Sequence, residues 1–367
     1  MLKKLFFFCA FFCFLLLFSS ICSAISVSAR HAVLIEAQSG DIVYSKDADT
    51  RAPMASTTKI MTALVAIENA NLDKQIKISK DAVGIEGSSV YLKENEIFSL
   101  EDLLYALLLE SANDAATAIA IEIGGSVEGF ASMMNEKANS LGLKNTHFTN
   151  PHGLDDAEHY TTASDLARLA VYAMNNPKFY EIASSKKRVV YNGDDEVRVF
   201  VNHNKLLRNY DGAVGVKTGF TKKSGRCLVS CAERDGVRLV AVTLNAPNDW
   251  NDHSCMLDFG FEQYENIHLA ENGDYVLSLS CVNGQRKNVL CTNFSSLDIT
   301  LKRGEYKNLT AKFESERFLF APVRQGDRVG RIVYYLNGSE VASVNLYALE
   351  AVKPIKYKKS IFERIFG

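Results

Sequence analysis

"MASTTKIMTALVAIE", residues Met54 to Glu68, places a serine three positions ahead of a lysine where an apolar helical run begins. Two readings fit this stretch. Ser56 is either a helix N-cap, a position that favours serine, or a nucleophile with Lys59 as its base. A lone S-x-x-K arises by chance in most long chains, so the surrounding sequence has to decide. Ile60, Leu64 and Ile67 recur at helical spacing. A helix as apolar all round as "IMTALVAI" belongs inside a core.

On the N-terminal side, "HAVLIEAQSGDIVYSKDADTRAP" alternates apolar and polar residues around Ser39-Gly40-Asp41, a hairpin signal. On the other side, "LEDLLYALLLESANDAATAIAIEIGG" is helical but broken near Ser111-Ala112-Asn113, because Ser, Asn and Asp favour caps and turns. "VEGFASMMNEKANSLGL" is an amphipathic helix stopped by Gly142. "TTASDLARLAVYAMNN" is another, with Ser164 as its cap and Pro177 beyond its end. Strands follow in "KKRVVYN", "VRVFVNHN", "AVGVKTGFT" and "RCLVSCAERDGVRLVAVTLN", the last folding back at Arg234-Asp235-Gly236. The first domain, 25–266, is therefore α+β, with the early hairpin joining the late strands in one antiparallel sheet under helices. From about Ile267 the texture changes to short alternating strands, with a hairpin turn at Asn337-Gly338. This predicts a small all-β domain over 267–352.

The 367 residues are 47% hydrophobic and 23% charged, which is ordinary globular composition for about two domains. A net charge of -2 gives no sign of a nucleic-acid partner. Residues 1–24, "MLKKLFFFCAFFCFLLLFSSICSA", read as a signal peptide, short for a membrane span, with cleavage after Ala24 or after Ala29. Residues 353–367 form an amphipathic segment. Ile361, Phe362, Ile365 and Phe366 share one face, with Lys356, Lys358, Lys359 and Arg364 on or beside the other. That pattern predicts in-plane binding to an anionic membrane surface. Cys227 and Cys231 lie too far apart on one strand to pair and read as small buried hydrophobes. Cys281 and Cys291 flank a hairpin and are candidates for a disulfide. No His/Cys group has metal-site spacing, and no cofactor is expected.

Two further triplets give the opening stretch its context. Ser111-Ala112-Asn113 sits at the helix break, and Lys217-Thr218-Gly219 lies on a strand and is followed by Phe220. The order S-x-x-K, S-x-N, K-T-G is shared by penicillin-binding proteins and class A β-lactamases. With "LIEAQSGDIVYSKDADTRAPMASTTKIMTAL", "GSSVYLKENE", "LLLESANDAATAIA", "NPHGLDD…HYTTASDLARLA" and "VGVKTGFTKKSGRCLVSCAERDGVRLVAV", the chain resembles the low-molecular-mass penicillin-binding proteins, the serine-type D-alanyl-D-alanine carboxypeptidases. The resemblance covers nearly all of the chain after the signal. It implies a β-lactamase/transpeptidase-like domain, a β-rich second domain and an amphipathic C-terminal helix. It also implies an enzyme secreted across the cytoplasmic membrane and anchored peripherally to its outer face. That enzyme would remove the terminal D-alanine from peptidoglycan stem peptides ending in D-Ala-D-Ala, with β-lactam antibiotics as covalent inhibitors.

The residues suit that chemistry. Amide cleavage through an acyl-enzyme needs an activated hydroxyl, a base, a proton donor and an oxyanion hole. Ser56 supplies the hydroxyl and Lys59, at i+3, the base. Lys59 must be neutral to act, which burial and a cation such as Lys217 favour. Ser111 is the candidate proton shuttle. Asn113 is placed to hold Lys59 or the substrate amide, and Lys217 and Thr218, with Gly219, to hold the terminal carboxylate. The resemblance implies that the Phe220 backbone N–H completes the oxyanion hole. His152 and His203 read as loop and strand-end residues, and Asp114, Asp155 and Asp165 as caps or turn formers. Three other readings stay open: a β-lactamase, against which stands the absence of an E-x-x-L-N stretch after Ser111-Ala112-Asn113 in this chain, a transpeptidase or endopeptidase of similar fold, and a silent stem-peptide-binding wall protein.

Overall fold

The computed structural model describes residues 25–192 and 196–356. The signal segment 1–24 and the tail from 357 onward lie outside the described residues. The early hairpin is β1 (His31–Glu36) and β2 (Ile42–Lys46). A 3-10 turn, Ala55–Thr58, leads into α1 (Lys59–Asn69). A small pair, β3 (Gln75–Lys77) and β4 (Ile97–Ser99), precedes α2 (Leu100–Leu109) and α3 (Asn113–Gly124). Then come α4 (Val127–Ser140), α5 (Ala163–Met174) and α6 (Pro177–Ser184). The hairpin β5 (Lys187–Asn192) and β6 (Glu196–Val201) and the single turn α7 (Leu206–Asn209) lead to β7 (Ala213–Thr221), β8 (Gly225–Arg234) and β9 (Val237–Leu244).

The main sheet has the order β2-β1-β9-β8-β7, antiparallel throughout, so the first and last strands of the domain do meet. Its period-2 alternation sorts two cores. Val33, Ile35, Val240 and Val242 face the helical side, in one core with Ile60 and Leu64 of α1, Leu104 of α2 and Ile119 of α3. Ala32, Leu34, Leu239 and Ala241 face α8 (Asp249–Gln263), which brings Met256 and Leu257. The polar opening of α8 hides its helical pattern in the sequence. It lies tight against the sheet because Gly260 has no side chain: a Cβ there would sit 2.5 Å from Leu239 Cδ1.

Local chemistry corrects one expectation and extends another. Thr162, not Ser164, caps α5, accepting from the Asp165 N–H at 3.1 Å, and Ser164 is buried inside the first turn. Pro177 does not merely follow a helix; it starts α6, where its missing N–H costs nothing.

The chain enters its second unit within a strand. β10 (Tyr264–Ala270) pairs with β13 (Leu297–Lys302). Beside them β11 (Leu277–Val282), β12 (Asn288–Thr292), β14 (Leu309–Glu314), β15 (Leu319–Phe320), β16 (Arg328–Leu336) and β17 (Ser339–Ala348) form a sheet of order β14-β16-β17-β12-β11-β15. Pairing continues past position 352, with a bridge from Pro354 to Gly284 and an Ile355 N–H donating to Asn283 O at 2.8 Å. Cys281 and Cys291 are both free thiols. The register sets Cys291 opposite Leu277 and Cys281 beside Lys287, four residues away, about 13 Å along the strand and beyond disulfide reach.

Candidate active site

The N-cap reading of Ser56 fails on where the residue sits. It caps nothing: α1 begins after a 3-10 turn, and its N-cap residue, Thr58, makes no side-chain capping bond. The turn is set by Ala55, held at φ +48°, and by hydroxyls that fold back, Thr57 Oγ1 to Met54 O at 2.6 Å and Thr58 Oγ1 to Ala55 O at 2.8 Å. This leaves the Ser56 side chain pointing at Lys59, whose Nζ lies 3.0 Å from Ser56 Oγ.

Lys59 is fully buried, and its Nζ has three oxygens around it. Besides Ser56 Oγ these are Asn113 Oδ1 at 2.7 Å and His152 O at 2.6 Å. A neutral amine has two N–H donors and one lone pair. Asn113 Oδ1 and the His152 carbonyl take the donors, which leaves the lone pair for the Ser56 hydroxyl proton. The electrostatics favour that state: burial holds the Lys59 pKa well below the ordinary lysine value, nearby Lys217 lowers it further, and Asp114 opposes the shift.

Asn113 opens α3 and is itself fixed from three sides. Its N–H donates to Ser88 O at 2.7 Å, its Nδ2 donates to Glu86 O, and its Oδ1 faces Lys59. Gly87, at φ +94°, allows the loop to lie on it, since a Cβ there would be 2.7 Å from Asn113 Nδ2. Asp114 is more than the cap or turn former expected of it. It anchors the same loop, accepting from Ser89 Oγ at 2.6 Å and Leu92 N at 3.0 Å. Ser111 occupies the corner between α2 and α3 at φ +62°, and is buried.

The K-T-G strand closes the other wall. On β7, Lys217 is buried, Thr218 and Gly219 are half-buried, and Phe220 is exposed. A Cβ on Gly219 would come within 3.1 Å of Ser56 N and 3.2 Å of Met54 O, so glycine is what lets β7 lie beside the Ser56 N–H. Lys217 Nζ donates to Thr218 O at 3.0 Å, and burial lowers its pKa to about 7, against the pull of Glu110.

The structure thus gathers Ser56, Lys59, Asn113 and the Lys217–Gly219 segment, with Ser111 at the adjoining corner. Several supporting groups were not legible in the sequence. His152 offers its carbonyl to Lys59, a contact no side-chain motif encodes, while its ring Nδ1 accepts from the Leu154 N–H at 3.3 Å. Gly153, at φ +89°, presses this loop on the turn that carries Ser56, where a Cβ would meet Ala55 O at 2.0 Å. His159 is buried between Thr149 N, 3.1 Å from Nδ1, and Thr58 Oγ1, 2.8 Å from Nε2. The Thr149 N–H can only donate, so Nδ1 accepts and Nε2 donates to Thr58. His203 stands apart, paired with Glu110 at 3.0 Å. An apolar cleft of about 350 Å³ between α5 and the β1–β2 hairpin lies at the far edge of the sheet from β7. Among the described residues no His, Cys, Asp and Glu cluster could hold a metal ion.

Two buried histidines make stability pH-dependent. Burial lowers His159 to about 4 and His253, which lies between Ser230 Oγ and Thr243 Oγ1, to about 3. The unfolded chain protonates them near 6.5, so their contribution is complete above that pH and is lost as pH falls toward 4 and 3. Between pH 7 and 5 each should cost about 2 kcal/mol of unfolding free energy. Urea melts at the two pH values test this, and equal stability at both would show that the imidazoles are not buried neutral.

A family model described as D-alanyl-D-alanine carboxypeptidase matches residues 19–248, and one described as penicillin-binding protein 5, C-terminal domain, matches residues 264–354. The chain is 33% identical over 340 residues to the D-alanyl-D-alanine carboxypeptidase DacF of Bacillus subtilis, covering 90% of this chain and 87% of that protein. It is 33% identical to the Escherichia coli D-alanyl-D-alanine carboxypeptidase DacC over 345 residues, 89% of this chain and 85% of that one. A crystal structure of penicillin binding protein 5 from Haemophilus influenzae superposes with a TM-score of 0.69 at 30% identity, covering 90% of this chain and 99% of that one.

Proposed function

The chain belongs to the D-alanyl-D-alanine carboxypeptidase family of penicillin-binding serine peptidases, and from that premise we propose how its own residues carry the reaction. The enzyme hydrolyses the terminal D-Ala-D-Ala bond of peptidoglycan stem peptides and binds β-lactams at the same site. Ser56 attacks the carbonyl carbon of the penultimate D-alanine while neutral Lys59 takes its proton. The Ser56 and Phe220 N–H groups hold the oxyanion. Ser111 passes a proton to the leaving amine, so free D-alanine departs. Lys217, Thr218 and Gly219 hold the terminal carboxylate, and water then cleaves the acyl-enzyme. A β-lactam acylates Ser56 by the same attack, but its opened ring stays attached, so no leaving group vacates the site.

The observation that carries this reading is the Lys59 amine, buried and triply positioned 3.0 Å from the Ser56 hydroxyl. A stem-peptide-binding module needs no such pair. Incubation with a pentapeptide ending in D-Ala-D-Ala should release one D-alanine per peptide. A folded protein that binds the peptide and releases none would overturn the assignment.

The reading also includes placement. The enzyme works outside the cytoplasmic membrane, and residues 357–367, outside the described residues, tether it to the outer face. Among the described residues no helix is long and apolar enough to cross a membrane. The support for an in-plane tether is the amphipathic and basic pattern of the tail. Removing residues 357–367 should abolish most sedimentation with anionic vesicles and leave turnover of a soluble peptide intact. Undiminished sedimentation of the shortened chain would disprove the tether.

A further inference from the structure

We propose that the β15 edge of the second unit, with Phe318, Phe320 and Ile355 at its surface, is a lipid contact in its own right, set against an anionic leaflet beside the tail. The proposal rests on the reading of the tail as a membrane tether.

β15 ends the order of its sheet, pairing on one side with β11, where Val282 lies opposite Phe320. Phe318 and Phe320 alternate around Leu319. Leu319 packs against the core, so both rings face outward, and they are 44% and 67% exposed. The last described residues return to the same corner. Ala321 N donates to Val282 O at 3.0 Å and Ile355 N donates to Asn283 O at 2.8 Å. Ile355 is 46% exposed. Three large apolar side chains therefore surround the point from which the final eleven residues leave.

An edge strand bearing exposed aromatic residues invites self-association unless something covers it. The charge around it selects the cover. The segments that build this corner carry Arg317, Arg324, Arg286, Lys287, Lys353 and Lys356 against Glu316, Glu350, which pairs with Arg286, and Asp327, which accepts the Arg324 N–H, so the cations stay in excess. The Arg317 guanidinium lies 5.4 Å from the centre of the Phe318 ring. Aromatic rings with cations beside them suit the headgroup boundary of an anionic bilayer, where rings enter the interface and cations meet phosphates. The tether adds proximity: a patch next to its origin meets the leaflet at high effective concentration once the tail is bound. Two weak contacts then hold the unit in one orientation where one would let it swivel.

The test uses the mature chain and a chain ending at Lys356, each with and without the double substitution Phe318→Ser and Phe320→Ser. Each is sedimented with phosphatidylglycerol-containing and with pure phosphatidylcholine vesicles. The double substitution should weaken binding of the full chain to anionic vesicles by about tenfold. The shortened chain should keep a weak, salt-sensitive binding to anionic vesicles that the double substitution removes. Unchanged binding of the doubly substituted full chain, with binding lost on truncation, overturns the patch and leaves the tether standing. The reverse pattern, full binding after truncation and loss on substitution, overturns the tether and leaves the patch. Binding that falls on isolated peptidoglycan but not on vesicles assigns the corner to the wall polymer and overturns the proposal. Circular-dichroism melts check that the variants fold. A Phe320→Trp chain gives a direct readout: its added emission should be quenched by brominated lipid, and a chain that sediments without quenching overturns the proposal.

Discussion

Ser56→Ala eliminates covalent labelling by fluorescent penicillin and lowers kcat/KM for D-Ala-D-Ala peptides by at least about 10⁴-fold, a loss of the size seen when an acyl-enzyme nucleophile is removed. The alanine has no oxygen to form the ester, so labelling should vanish outright and not slow down. Mass spectrometry of the penicillin adduct of the unmodified protein should place it on the peptide containing Ser56, and an adduct elsewhere would refute the assignment. Lys59→Ala should be nearly as damaging, for two reasons. A general base contributes about 10²–10⁴-fold. The substitution also strands Asn113 Oδ1 and the His152 carbonyl, which both accept from Lys59 Nζ in a buried setting. Lys59→Arg should not rescue, because a guanidinium stays charged and has no lone pair to accept the Ser56 proton. Acylation of Lys59→Ala at the normal rate would show that another group is the base.

Much of the candidate site was legible because its side chains lie at short sequence spacing. Ser56 and Lys59 share one turn, Ser111 and Asn113 one helix break, and Lys217 to Phe220 one strand. The main sheet was legible from alternation in β1, β7, β8 and β9. What escaped is backbone chemistry and long-range fit. The His152 carbonyl that holds Lys59 is the same atom any residue would offer at that place. The demands on Gly87 and Gly153 arise from Asn113 and Ala55, which are distant in sequence. The helix Asp249–Gln263 was obscured because its first turns are polar and its packing face includes a glycine chosen for closeness to Leu239. The candidate Cys281–Cys291 bridge failed on register, which spacing in sequence does not reveal.

Lys217→Ala should cost about 2–4 kcal/mol in kcat/KM, roughly 30- to 1,000-fold, on substrates with a free terminal carboxylate, the usual loss when one partner of a buried ionic contact is removed. On the same peptide with an amidated terminus the loss should be far smaller, because there is no anion to abandon. The pH dependence separates this role from a structural one. Burial lowers the Lys217 pKa to about 7 in the free enzyme, so below that pH the ammonium is ready for a carboxylate. Above it, binding the anion has to draw a proton onto Lys217, and KM for carboxylate substrates should rise with pH. The amidated peptide should show no such rise. With Lys59 as the proposed base, the acid side of the profile should follow its protonation, and kcat should fall there. Lys217 also helps keep the Lys59 pKa down, so Lys217→Ala should move that acid limb to higher pH. Proton uptake on binding, measured by calorimetry in buffers of different ionisation heat, should appear above pH 7 with the carboxylate peptide and disappear in Lys217→Ala. Equal losses on carboxylate and amide substrates, with no change in proton uptake, would remove Lys217 from carboxylate recognition and leave it as a buried support for the strand.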